Sequence, residues 1–256
     1  MESLAIQGRV IRALLLREVI TRYGRENIGV LWLIAEPMMF TLGVATLWSF
    51  MGAHKSSAMP IIAFAVTGYS SVLVWRNSAN RCTAGIQQNA NLLYHRNVRV
   101  LDVFITRIAL EVGGATGSFI ILGSIFTAGA WISPPVDMMK VLGGWLLLCW
   151  FGAALGILMG AATSYSEIIE RFWHTISYLM FPLSGAGFMV DWFPTAAQRV
   201  VLLLPMVNGV ELLRDGYFGN TVRTHYDVTY TCFINLVLTI IGLLVLRDAG
   251  RRVGER

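Results

Sequence analysis

Charge is scarce in this sequence: Asp, Glu, Lys and Arg make up 14% of its 256 residues, where about a quarter is usual in a soluble domain. A chain so poor in charge cannot cover a globule of its size with polar side chains, so water is not its main solvent. Lysine is nearly missing, with only Lys55 and Lys140. Neither stands in a GxxxxGK[ST] loop that would cradle nucleotide phosphates, so any dependence on ATP requires a second polypeptide. The three cysteines, Cys82, Cys149 and Cys232, lie far apart without a CxxC pair, which excludes a disulfide framework and a zinc knuckle. His54, His95, His174 and His225 are isolated, and no HExxH or paired carboxylates fall within an apolar run, so no metal ligand and no catalytic residue is nominated. His174 stands one helical turn from Ser177, too little to mark a hydrolase. No nucleic-acid partner is expected.

What the sequence has is apolar length. The hydrophobic set accounts for 55% of residues and mean hydropathy is +0.62. Runs long enough to span about 30 Å of hydrocarbon occur at 30–51, 59–79, 108–131, 141–163, 172–190 and 228–246. A further run, TAAQRVVLLLP at 195–205, carries Arg199 and ends in Pro205, which suits a re-entrant segment better than a span. With six spans the 20 lysines and arginines divide into 15 on one side and 5 on the other, which puts both termini in the cytoplasm.

The N-terminus mixes charge with apolar residues and so lacks the compact core of a cleavable signal. In residues 1–27, Leu4, Ile11, Leu14 and Leu15 share one helical face and Arg9 and Arg12 another, as in a helix lying on the membrane surface. Ile6, Leu16 and Ile20 fall on the polar side, so protein is expected to cover part of it. The fold class expected is therefore an all-α integral membrane protein. It has six transmembrane helices, an N-terminal interfacial helix, and short external re-entrant helices at 191–220 before the last span, in one domain over 1–256.

Small residues recur every fourth position in the third run (Ala109, Gly113, Gly117) and in the fourth (Gly152, Gly156, Gly160), which predicts that these two spans pack as a tight hairpin. Ionisable residues inside the runs are few: Glu36 and Glu111 sit near the cytoplasmic side, a depth that suits ion pairing, with Arg76 the expected partner, better than a proton relay. In the fifth run His174, Tyr178, Phe181, Gly185 and Phe188 follow a 4-3-4-3 spacing on one face. Flat rings stack on the apolar faces of sugars and tolerate sliding, so this face is a candidate substrate pathway, with Trp48, Tyr69 and Trp75 joining from other spans.

Three stretches carry a family likeness: RYGRENIGVLWLIAEP at 22–37, NLLYHRNVRVLD at 91–102 and LPMVNGVELLRDGYFGN at 204–220. Together with six spans they resemble the membrane subunit of type-2 ABC exporters, nearest the capsular polysaccharide export permeases and next the O-antigen and teichoic acid permeases. The resemblance implies two copies of this chain around a central pathway in a bacterial inner membrane. It also implies two copies of a cytoplasmic ATPase that bind ATP and magnesium, so this chain itself carries no cofactor. A lipid-linked polysaccharide would be threaded outward, with a periplasmic polysaccharide export or co-polymerase protein as a further partner. Arg22, Arg25 and Glu36 are candidates to receive an anionic substrate. Residues 88–102 resemble the helix that couples ATPase motion to the spans, with Leu92, Leu93, Tyr94 and Arg96 as its contact residues. Two readings from other classes stand beside this one: an ion-coupled carrier or channel, and an intramembrane enzyme acting on lipid-linked glycans.

Overall fold

A computed structural model describes residues 2–23, 29–51, 59–93 and 98–254. Every regular element among them is helical: α1 (Glu2–Tyr23), α2 (Gly29–Met51), α3 (Ile61–Thr83), the single turns α4 (Gly85–Gln88) and α5 (Ala90–Leu93), α6 (Val100–Ala128), α7 (Met138–Ala162), α8 (Glu167–Leu183), α9 (Thr195–Val201), α10 (Pro205–Phe218) and α11 (Val228–Gly254). The ends follow local chemistry. Asp137 accepts from the amides of Met139 and Lys140 to start α7, and Ser166 accepts from the amide of Ile168 to start α8. Pro205 opens α10, where its missing N–H costs nothing. Gly185 and Gly219, at φ +84° and +57°, turn the chain after α8 and α10.

Among the described residues four helices are long and apolar enough to cross a membrane, at Leu31–Met51, Val100–Ala128, Met138–Ala162 and Val228–Arg251. The expected count of six is therefore not reached on those criteria. Two of the six expected runs fall short for separate reasons. α3 is 23 residues long but runs on past its apolar stretch into Arg76, Asn77, Ser78, Asn80 and Arg81. α8 has 17 residues and ends at Leu183, so Gly185 and Phe188 of the expected stripe lie beyond the helix. α9 and α10 meet at a bend of 108°, a broken pair rather than one straight helix.

α3 is the hub of the bundle. Its residues from Ala63 to Trp75 are all buried, with α7, α6 and α2 packed around it. A helix that meets protein on every side need not be apolar, provided its polar groups are satisfied. The hydroxyls of Thr67, Ser71 and Ser78 donate back to carbonyls of the preceding turn, and Asn80 accepts from the indole of Trp173 at 2.8 Å, while the Ser70 hydroxyl and the Trp75 indole N–H are left without a partner among the described residues.

The glycine stripe of α7 packs mainly on α3, with only Gly160 also meeting α6 through the Phe104 ring, which corrects the expected hairpin. A methyl group on Gly152 would stand 2.7 Å from Trp75 Cα, one on Gly156 3.1 Å from the Ser78 carbonyl, and one on Gly160 2.8 Å from the Cys82 carbonyl. On α6 it is Gly114, not Gly113, that admits a neighbour's backbone, the carbonyl of Leu33 in α2. On α7 the every-fourth-residue pattern did mark close packing, but it could not name the partner, because α3 advertises itself weakly in apolarity. Substituting Gly152 with valine is therefore expected to lower stability by about 1–3 kcal/mol through overpacking. Gly113→Val, with nothing within 4 Å, should leave the thermal midpoint in detergent unchanged.

Candidate functional site

One face of α3 carries Tyr69 and Arg76, seven residues apart and so nearly in line on the helix. Around this face, α2 and α8 assemble aromatic rings into a continuous ladder. Tyr69 meets Phe181 of α8 at 5.8 Å between centroids, Phe40 of α2 at 6.1 Å and Trp48 of α2 at 5.6 Å. Trp48 stacks on Phe64 at 5.9 Å, and Phe64 on Trp192 at 5.6 Å. At the opposite end the Arg76 guanidinium lies 4.8 Å from the Tyr178 ring and 5.6 Å from that of Phe181, with its Nε donating to the Ser177 hydroxyl at 3.1 Å. From Arg76 to Phe64 the ladder follows α3 for about 18 Å at 1.5 Å per residue.

Four of the five sequence-predicted pathway residues, Trp48, Tyr69, Tyr178 and Phe181, therefore stand on one face, with Phe40, Phe64 and Trp192 added by the fold. Tyr178 is 68% exposed and Phe40 and Trp192 are also open, whereas Phe64 is buried beneath them. Trp75 does not belong to the ladder. It is 1% exposed, lies against Gly152 and packs edge-on to Phe151 of α7. Six residues along a helix from Tyr69 carry it to another face.

Two buried charges that the sequence did not single out fix the end of the ladder. Arg214 of α10 is fully buried and donates to three carbonyls of the chain after α8: Gly185 at 2.7 Å, Phe188 at 2.6 Å and Ala186 at 2.8 Å. Its guanidinium carbon is 3.9 Å from the centre of the Phe64 ring, a stacked cation–π contact. Gly68 of α3 makes room, since a methyl group there would lie 2.7 Å from Arg214 Nη2. One turn earlier on α10, Glu211 accepts from the amides of Val190 and His225. The signal was present in ELLRD at 211–215: acid and base at an i,i+3 spacing in a stretch otherwise fit for the membrane interior. On the same side Lys140 pairs with Asp215 at 2.8 Å, and Asp215 also accepts from Tyr226. Burial, and then that hydrogen bond, push the Tyr226 phenol above its ordinary pKa.

At the other end of the bundle, Arg22 pairs with Glu111 at 2.6 Å and with Glu18 at 3.2 Å, and Arg81 also reaches Glu111 at 3.1 Å. Glu111 thus joins an ion-pair network, as its depth suggested. Glu36 is exposed, and its expected partner Arg76 is directed instead to Ser177 and the α8 rings. Arg25, Tyr94 and Arg96 lie outside the described residues. Leu92 and Leu93 end the one-turn helix α5 and are half-buried, Leu93 facing a groove formed with Val98, Val100 and Leu246. The stretch 88–102 is not a single helix: α5 is one turn, and residues 100–102 already belong to α6. Arg99 is extended, with its amide donating to Asp102 at 2.9 Å, which sets the start of α6 three residues before the expected segment ends.

Residues 9–218, from α1 through α10 and including the whole ladder, match the ABC-2 type transporter family. The chain belongs to that family. Among its relatives is the capsule polysaccharide export inner-membrane protein BexB of Haemophilus influenzae, 43% identical over 98% of this chain and 95% of that protein. The corresponding CtrC of Neisseria meningitidis serogroup B is 45% identical over the same shares. The polysialic acid transport protein KpsM of Escherichia coli is 26% identical over 94% of each chain.

Within this ABC-2 chain the Arg214 clamp yields a test. Lysine keeps the charge but cannot fork to three carbonyls, so Arg214→Lys should cost roughly 1–3 kcal/mol through carbonyls left unpaired. The loss would be read as a lower thermal midpoint and as faster thiol labelling of a cysteine placed at Gly187.

Proposed function

We propose that this chain is the membrane-spanning permease subunit of an ABC exporter that moves a lipid-linked, capsular-type polysaccharide from the cytoplasm across a bacterial inner membrane. The family and the capsule-export relatives give the class: a multi-pass inner-membrane transporter subunit, not an enzyme. The observation that carries the substrate assignment is the ladder. Rings offer sugars flat apolar surfaces without fixing register, as a polymer in motion requires, and this one runs for about 18 Å along α3 with its outer rungs open. A small-ion carrier has no use for such a surface.

Six spans are α2, α3, α6, α7, α8 and α11, with α9 and α10 as a re-entrant pair. Low apolarity in α3 is no objection, since protein sheathes it, and the positive-charge bias then places both termini in the cytoplasm. α2 and α8 bury little against their own chain. A second copy facing these helices would enclose the open rungs and complete the pathway. Two cytoplasmic ATPase subunits supply ATP and magnesium, and the cytoplasmic turns between α3 and α6, with Leu92, Leu93, Tyr94 and Arg96, receive their motion. A periplasmic export or co-polymerase protein would take over the emerging chain. Arg25 and Glu36 remain the candidates to receive the anionic lipid end beside α2, whereas Arg22 holds α1 to α6.

Replacing Tyr178 and Phe181 together with alanine is expected to reduce surface polysaccharide severalfold while insertion, pairing of two copies and ATPase co-purification persist. Collapse of the assembly instead would make both residues packing elements. Asp substitution at Leu93 and Tyr94 is expected to release the ATPase from detergent-purified complexes without loss of membrane insertion, and unchanged co-purification would remove this stretch from coupling.

A further inference from the structure

Beneath α1, where it crosses α3, α4 and the first turns of α6, lies a half-enclosed cavity of about 370 Å³. Arg17, Glu18, Arg22, Arg81, Gln88 and Arg107 line it, with Glu111 just behind. Four guanidinium groups thus face two carboxylates, an excess of two positive charges in a cleft walled by protein. Such a site concentrates field and draws in anions.

The pairing inside the cavity is incomplete. Arg107, with its side chain 5% exposed, donates to the Arg81 carbonyl at 2.7 Å and to Gln88 at 2.6 Å, but its Nε stands 3.4 Å from Glu18 without a hydrogen bond. Arg17 has no carboxylate within 4 Å among the described residues and donates only to Asn89, at 2.9 Å. Arg81 pairs with Glu111 through Nε at 3.1 Å, and no hydrogen bond engages its two terminal nitrogens among the described residues. Unspent guanidinium donors around one cleft are what a tetrahedral, multi-oxygen anion satisfies, since each planar fork can take two of its oxygens at once. A chloride or a single carboxylate would leave donors and charge over.

We propose that this cavity binds a phosphate group, diphosphate or phosphodiester, and that the bound anion pins α1 to α3 and α6. Neither the export reading nor any role of the aromatic ladder is needed for it. The anion's carrier can be a soluble phosphate or the headgroup of a cytoplasmic-leaflet lipid, and both present the same oxygens to Arg17, Arg81 and Arg107.

The full chain would be purified in neutral detergent and titrated with inorganic diphosphate, with sodium chloride at matched ionic strength as reference, following thermal unfolding. In parallel, nanodiscs of phosphatidylcholine alone would be compared with nanodiscs containing phosphatidylglycerol. Saturable stabilisation by diphosphate beyond chloride supports the site with a soluble source. Stabilisation by phosphatidylglycerol and not by diphosphate supports it with a lipid source. In Arg17→Gln and Arg81→Gln, both exposed enough to tolerate change, affinity should fall roughly tenfold or more, and Arg251→Gln on α11 should leave it intact. Equal effects of diphosphate and chloride in the unaltered chain, together with no difference between the two nanodiscs, would overturn the proposal whether or not the variants fold. So would wild-type affinity in both variants.

Discussion

The close approach of α7 to α3 through three glycines is the contact on which the remaining architecture depends. With no side chain at positions 152, 156 and 160, the backbone of α3 comes within van der Waals reach along three successive turns of α7. In a membrane, where lipid tails are as apolar as leucine, such backbone proximity is a main source of helix association. It also lets α3 be polar. Buried by α7, α6 and α2, α3 can carry serines, asparagines and Arg76 into a region where a lipid-facing helix could not.

That tolerance bears directly on function. Because α3 is sheathed on the Trp75 side, its other side is free to present Tyr69 and Arg76 to α2 and α8, and the aromatic ladder grows from there. Arg214 then holds the far end: one guanidinium gathers the three carbonyls that the turn after α8 leaves unpaired and stacks over Phe64. The same residue therefore closes the loop and sets the ring that follows Trp48. The ladder's outer face is lightly packed by contrast, with Tyr178 and Phe40 open, which suits the proposed passage of a polymer between two copies. A rigid hub with a lightly packed outer face is a sensible division for a transporter subunit.

Much of this was legible in the residues. Apolar runs gave α2 and α7 closely and α6 and α11 with one end of each eight residues short, and the family likeness at 22–37, 91–102 and 204–220 pointed to the transporter class before any geometry. Aromatic spacing found Tyr178 and Phe181, and Tyr69 and Trp48 proved to lie beside them. Other features were hidden for physical reasons. Periodicity on one helix cannot say which neighbour fills a groove, so the α7 glycines were assigned to α6. Trp75 looked like a pathway ring because composition does not reveal that its face of α3 meets Gly152 and Phe151. Arg214 and Glu211 were overlooked because their partners are backbone groups from the turn after α8 and from His225, which no side-chain motif encodes. Arg76 was matched to Glu36 on depth, whereas rings and a hydroxyl on α8 are closer.

The central claim is that the polysaccharide moves over the ladder and not elsewhere in the bundle. Photo-crosslinking in the assembled, ATP-fuelled exporter tests it most directly, with a benzophenone side chain placed at Phe181 in one preparation and at Phe151, on the buried side of α3, in another. Attachment of glycan at position 181, dependent on the presence of the lipid-linked polymer, and none at 151 is the result this account predicts. Glycan captured at 151 but not at 181 would contradict it.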